Sequence, residues 1–272
     1  MNFDIFVTAG PNDFGIVKNS IKNNQRKIDG LNKTYLFSEF KNFNFDFAED
    51  VSKDFFPFSK EEVEDRVVNK SRAGWIYQQL LCLYYPYLQK NSEYTLVIDS
   101  DVFFTKDINF FEGEKGIFTV GYENHQPYFK HMNDLHPKIK KVDNFSGISH
   151  HMLFKKTILE SLFELVENYH NKEFYKSYID LLDPNENSPS ADYEIYYNYA
   201  LNFYKESYTT RELNWTNLER FSLKNFTKFD MVSLPHWKKT RPSDISENIR
   251  ELNFIRFLYC IKNFFFLNTF YK

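Results

Sequence analysis

The chain has 272 residues, with 34 Lys and Arg against 37 Asp and Glu, so it is long enough to bury one large core and carries no basic surplus for a nucleic-acid partner. Aromatic residues are abundant (31 Phe, 19 Tyr), and the only cysteines, Cys82 and Cys260, are too few for a disulfide framework; both read as buried thiols in a reducing compartment. No run of about 20 apolar residues is present to span a bilayer, and "MNFDIFVTAGP" lacks the basic flank and apolar length of a secretion signal. The expected location is the cytoplasm.

In chain order, "FDIFV" reads as a buried strand, followed by the loop "TAGPND" and a helical pattern through Phe14, Val17 and Ile21, with Asn12 or Asp13 as its cap. "TYLFS" at 34–38 is a second strand. This βαβ opening places Thr8 to Asp13 at the carboxyl end of a sheet, where open α/β folds bind ligands. Residues 40–70 show no clear period and read as a loop or small excursion. "SRAGWIYQQLLCLYYPY" carries a helical stripe of Ile76, Leu80, Leu83, Tyr84 and Tyr87, with Ser71 as cap; Arg72, Gln78 and Gln79 lie outside that stripe. "YTLVI" at 94–98 is apolar on both faces, the pattern of a central parallel strand. Further on come "NFSGISHHMLF", a helix with Ile158, Leu162, Leu165, Val166 and Tyr169 on one side, a helix starting near Ala191, and a last strand, "DMVSLPHW", running into His236.

The strand "YTLVI" delivers Asp99 and Asp101 to the sheet edge, two carboxylates on one side that repel unless a cation sits between them. Carboxylate oxygens suit Mg²⁺ or Mn²⁺, and such a cation can clamp a diphosphate as a Lewis acid. Asp-x-Asp alone is a weak signal; the preceding "LVI" and following "VFF" give it a structural context.

In that context "LVIDSDVFF" resembles the Asp-x-Asp segment of GT-A-fold glycosyltransferases. "SRAGWIYQQLLCLYY", "NFSGISHHMLF", "SADYEIYYNYA" and "LPHW" follow in the order found in a group of bacterial and viral glycosyltransferases of that fold, over roughly residues 3 to 240. The resemblance implies an α/β, Rossmann-like GT-A fold with a mixed, mainly parallel sheet flanked by helices. It implies a domain over 1–240 and a metal-dependent transfer of sugar from a UDP- or GDP-sugar to a glycan or lipid-linked acceptor in surface polysaccharide synthesis, with inversion. Asp99, Asp101 and His236 match the metal ligands, and Asp99, Ser100 and Asp101 the donor site. Arg72 matches a donor-phosphate contact; a guanidinium grips phosphate oxygens bidentately, and a salt bridge to a nearby acid is the alternative. Lys239, beside Lys238 and Arg241, is placed on the donor phosphates or in a solvated basic turn. Gln78 or Gln79 can bond nucleotide or sugar, and Thr8 and Asp13 the base and ribose.

Asp192 and Glu194 fall in the first turn of a helix, where favourable charge against the helix dipole accounts for both. The resemblance instead makes one of them, Asp192 ahead of Glu194, the base that takes the acceptor's proton. His150 and His151 point to opposite sides of a strand, so only one of them can face an acceptor. The tail, 241–272, reads as an aromatic helix with Arg250, Arg256 and Lys262 interspersed; its composition suits the inner membrane surface and packing on the domain equally. Two other readings stand against the transferase. One is a haloacid dehalogenase-type phosphohydrolase, whose Asp-x-Asp lies near the N-terminus and is followed by Thr or Val where this chain has Phe103. The other is a carbohydrate-binding protein without turnover.

Overall fold

The computed structural model describes residues 1–39, 45–219 and 228–235. His236, Lys239 and the tail lie outside these residues. The chain is α/β, with mixed sheets and seven α-helices among the described residues. The described residues fall into two compact units: the first takes those within 1–8, 29–99 and 109–212, the second those within 9–28, 100–108 and 213–235. Of the described residues, no helix is long and apolar enough to cross a membrane.

The first unit is built on a five-stranded sheet. Its strands are β1 (Phe3–Ala9), β2 (Leu31–Ser38), β3 (Glu49–Asp50), β4 (Tyr94–Ile98) and β8 (His151–Lys155), in the order β3-β2-β1-β4-β8. Every residue of β1 and β4 is buried, as expected of strands covered on both faces. β4 is central, as its composition requires, but it is parallel only to β1 (Phe6 opposite Val97) and antiparallel to β8 (Ile98 opposite His151). Helix α3 (Ala73–Leu88) lays Tyr85 flat on Phe6 of β1, ring centroids 4.0 Å apart. Tyr84 meets Phe163 of α5 (Lys156–His170), which stacks in turn on Phe174 at 4.0 Å. Such pairs add about 0.5–1.5 kcal/mol each beyond their burial, so the aromatic excess has a structural use.

A second sheet in this unit joins β6 (Phe111–Glu112), β7 (Lys115–Thr119) and β9 (Tyr208–Arg211). Gly116 is required there, because a Cβ would lie 2.7 Å from the Tyr208 ring. Helix α7 (Asp192–Phe203) is buried continuously from Asp192 to Ala200, which explains its lack of an apolar stripe. Its tyrosines reach partners with their hydroxyls: Tyr196 meets Tyr208 at 2.7 Å, Tyr197 donates to Asp143 at 2.9 Å, and Tyr199 meets Ser161 at 2.8 Å.

In the second unit a three-stranded sheet runs β10 (Trp215–Asn217), β11 (Met231–Ser233), β5 (Val102–Phe104), with β11 antiparallel to β5. The free edge of β5 is bonded by side chains of α1 (Val17–Asn24). Ser20 and Asn24 donate to the Val102 carbonyl at 2.6 and 3.0 Å, and Phe104 N–H donates to Asn24 Oδ1 at 3.0 Å. Ile16, Phe103, Val232 and Leu234 form the core beside them.

Several local expectations shift. Helix α1 starts at Val17 and leaves Phe14 63 % exposed, because Pro11 opens a 3₁₀ turn through Asp13, whose carboxylate bonds back to Gly10 N–H at 3.1 Å instead of capping a helix. Ser71 does not cap α3: its hydroxyl donates to Asn69 at 2.7 Å, and Arg72 takes the cap position. The stretch 40–70 holds a helix, α2 (Lys60–Arg66), capped by Ser59, which accepts from Glu62 N–H at 3.1 Å.

Candidate functional site

The parallel register continues two residues past the Phe6–Val97 pair to Thr8 on β1 and Asp99 just after β4, so the first unit brings both to the carboxyl edge of its sheet. Because β8 is antiparallel to β4, its amino end lies at that same edge and supplies His150. Asp99 N–H donates to the His150 carbonyl at 3.0 Å, and His150 Nδ1 lies 2.9 Å from Asp99 Oδ2. His150 has φ +62°, a left-handed conformation uncommon for non-glycine residues, though His adopts it more often than most, and one that clusters at active sites and ligand clamps. The other oxygen of Asp99 accepts from Tyr193 Oη at 3.2 Å.

Tyr193 follows Asp192 at the start of α7, where Asp192 is only 9 % exposed. Burial pushes the Asp192 carboxyl well above the usual carboxylate range, and the charge of Asp99 adds to this; backbone N–H groups of Tyr193 and Asp192 itself act in the opposite direction. The thiol of Cys82, from α3, is likewise pushed far up by burial and then by Asp192 and Asp99, against a hydrogen bond with Thr8. Tyr193 is raised by burial and then by Asp99. All three shifts favour the neutral form of these groups, and burial is the first cause of each.

The turn before α7 is fixed by Gln79. Its Oε1 accepts from Asp192 N–H at 3.2 Å, from Ser190 Oγ at 3.1 Å and from the Tyr178 hydroxyl, while Nε2 donates to the Ser190 carbonyl at 3.3 Å. Gln78, one residue before it in α3, is half-buried.

Glu194 is placed differently from Asp192. It is 1 % exposed, and both its oxygens are in use. Oε2 accepts from Ser146 Oγ at 2.6 Å and Gly147 N–H at 2.9 Å; Oε1 accepts from Asn198 at 3.1 Å and faces Lys141 at 3.5 Å. It ties the segment 141–147 to α7. Gly147 is forced by the same contact, since a Cβ would come within 2.5 Å of Tyr197 Cβ and 2.7 Å of the Tyr193 carbonyl. His151 turns inward from β8, 2 % exposed, with Nε2 2.9 Å from Thr119 Oγ1, and burial holds it far below its ordinary pKa. The two histidines therefore part, and His150 is the one on Asp99.

The other expected residues have partners of their own. Asp13 is in the second unit, bonded to Gly10. Ser100 and Asp101 also belong to that unit; Ser100 is buried, the Asp101 carboxylate accepts from Ser233 Oγ at 3.1 Å, and its backbone carbonyl accepts from Leu234 N–H at 3.0 Å. Arg72 lies over the Trp75 ring at 4.2 Å and pairs with no carboxylate among the described residues; burial lowers its pKa.

As a home for a divalent cation, the donor chemistry is suitable. Carboxylate oxygens are hard ligands, and Asp99 keeps acceptor capacity beyond one bond per oxygen. Among the described residues, however, no group of three or more His, Cys, Asp or Glu side chains could hold a metal.

The residues sequence reasoning passed over are Tyr193, Gln79 as a clamp, and Cys82. Tyr193 had a signal, a hydroxyl next to Asp192 at a helix start. Cys82 had none beyond its apolar neighbours. The chain matches no protein-family model and no curated protein.

Proposed function

We propose that the chain is a nucleotide-sugar-dependent glycosyltransferase of the GT-A type, moving a sugar from a UDP- or GDP-sugar to a hydroxyl of a glycan or lipid-linked glycan in surface polysaccharide synthesis. The observation that supports it most is the first-unit cluster of Asp99, His150, Tyr193 and Asp192 beside Thr8, at the carboxyl edge of a sheet where α/β folds bind ligands.

In this reading Asp99 serves the donor side. His150 Nδ1 and Tyr193 Oη orient its carboxylate, which fixes where the leaving phosphate lies. Asp192 is the base. Its raised proton affinity suits a group that must accept a proton near neutral pH. It takes the acceptor hydroxyl's proton as that oxygen bonds the anomeric carbon and the bond to the nucleoside diphosphate breaks, with inversion. Glu194 is set aside as base, because four donors already engage its carboxylate. The divalent cation, proposed from the Asp99–Ser100–Asp101 spacing with His236, supplies Lewis-acid stabilisation of the diphosphate when bound.

The test is a panel of UDP- and GDP-sugars, with and without Mn²⁺, assayed for nucleotide release with acceptor glycans. One donor should turn over in a metal-dependent way, and Asp192→Asn should keep donor binding while losing about 10²–10⁴ in rate. Absence of release from every donor, or full activity in Asp192→Asn, contradicts the proposal.

A further inference from the structure

Outside the cluster of Asp99 and Asp192, the first unit presents an aromatic pair to solvent, Tyr122 and Phe145, with ring centroids 5.7 Å apart. Tyr122 is 68 % exposed and Phe145 half-buried. The backbone beneath them is fixed. Gly121 and Ser146 exchange N–H to carbonyl bonds at 2.8 and 3.0 Å, and a Cβ on Gly121 would lie 2.6 Å from the Ile148 carbonyl oxygen, so the close approach requires glycine. Ser146 and Gly147 are tied in turn to Glu194. The Lys141 ammonium donates to the Phe145 carbonyl at 2.6 Å, and Glu212 sits at the Tyr122 hydroxyl, where a hydrogen bond between the two raises the pKa of the phenol. An exposed ring on such a frame has given up much of its freedom before a ligand arrives, which lowers the entropic cost of binding.

The same frame runs to the candidate site. Thr119, the last residue of β7, lies 2.9 Å from His151, which brings the end of β7 to the edge where His150 meets Asp99. Ser146, opposite Gly121, precedes His150 by four residues, a length of chain that spans at most about 14 Å. A glycan of a few units can lie across both places.

The chemistry beside the rings selects the occupant. The negative face of an aromatic ring attracts the C–H bonds on one side of a pyranose, and the hydroxyls at the sugar's rim then need acceptors. Asp143 and Glu212, both exposed, supply them. Asp143 takes Phe145 N–H and the Tyr197 hydroxyl on one oxygen each, at 2.8 and 2.9 Å, and each oxygen keeps a further lone pair. These carboxylates repel an acidic sugar or an anionic lipid surface, and Lys141 and Arg211 are turned inward, onto the Phe145 carbonyl and Thr119 Oγ1. An apolar peptide or acyl chain over the rings would strip water from the carboxylates without replacing its hydrogen bonds.

We propose that Tyr122, supported by Phe145, is a stacking platform for an uncharged sugar unit of the acceptor glycan. The acceptor role rests on the transferase reading; the sugar binding does not.

Saturation-transfer NMR of the full chain without donor tests it, with three sets of probes: neutral hexose and N-acetylhexosamine oligosaccharides, uronic-acid oligosaccharides of the same lengths, and phosphatidylglycerol vesicles. A neutral oligosaccharide should bind, with transfer strongest to the C–H protons of one sugar face, and the two anionic probes should bind less. Tyr122→Ala should weaken that binding by roughly 5- to 30-fold, the loss expected of an aromatic anchor, and Tyr122→Phe, which keeps the ring, should bind close to the parent. Melting curves establish that each variant is folded. Sugar binding that depends on Tyr122, in a chain that turns over no nucleotide-sugar, upholds the platform and removes the transferase reading. Sugar transfer with an unchanged acceptor KM in Tyr122→Ala upholds the transferase and removes the platform. Binding of no neutral oligosaccharide, unchanged affinity in folded Tyr122→Ala, or a preference for the anionic probes would overturn the assignment.

Discussion

Glu194→Gln is the substitution that separates the two acids at the head of α7. The parent carboxylate receives Ser146 Oγ and Gly147 N–H on one oxygen, Asn198 Nδ2 and the Lys141 ammonium on the other, at 2.6 to 3.5 Å. A glutamine has the same shape but one acceptor oxygen, so in either orientation its NH₂ faces two donors. Losing two bonds to a buried charged acceptor, at about 1.5–3 kcal/mol each, predicts a destabilisation of roughly 3–6 kcal/mol, overlapping the roughly 3–5 kcal/mol seen when one partner of a buried pair is removed. Asp192→Asn is the matched control. There the carboxylate is disfavoured by burial and by Asp99, so removing its charge should leave stability at neutral pH unchanged or raised. Urea unfolding followed by circular dichroism reads both. A Glu194→Gln midpoint equal to the parent's would refute the structural role of Glu194, and an inactive, fully stable Glu194→Gln would return it to candidacy as base.

Further outcomes follow from other residues. His131, buried in α4 (Gln126–Leu135) with Nε2 on the Tyr178 carbonyl at 2.9 Å, has its pKa lowered from 6.5 to about 4, chiefly by burial. The unfolded chain binds this proton below pH 6.5 and the native chain does not, so about 3 kcal/mol of stability is lost as pH falls from 6.5 to 4; denaturant titrations should show this loss reduced in His131→Gln. Gly147→Ala, with its Cβ meeting backbone at 2.7 Å, should cost about 1–3 kcal/mol and lower the melting temperature, because α7 has to shift. Tyr193→Phe removes the hydroxyl from Asp99 at a cost of about 1 kcal/mol in stability, and in steady-state assays on the proposed donor it should lower turnover more than it changes donor binding.

How much of this was legible in the chain can be judged element by element. β1 and β4 read correctly because strands buried on both faces are apolar throughout, and the start of α7 was read at Ala191, its actual cap residue, because "DPNENSPS" breaks the chain just before it. α2 was passed over although Ser59 and Glu62 carry the capping pattern, since its single buried residue, Val63, gives no stripe. That β8 runs antiparallel to β4 could not be read from side chains, and this reversal is what brings His150 to Asp99. The difference between Asp192 and Glu194 was equally hidden: both lie in one helical turn, and only the packing of Ser146, Gly147, Asn198 and Lys141 around Glu194 tells them apart.

Donor binding measured beside turnover in Asp192→Asn and Asp99→Asn separates the acid proposed to act on the acceptor, Asp192, from the one proposed to serve the donor, Asp99. With the donor found in the nucleotide-sugar panel, the account predicts that Asp192→Asn binds it like the parent but does not transfer sugar, and that Asp99→Asn loses donor binding. Parental transfer rates in Asp192→Asn, or unchanged donor affinity in Asp99→Asn, would contradict the account.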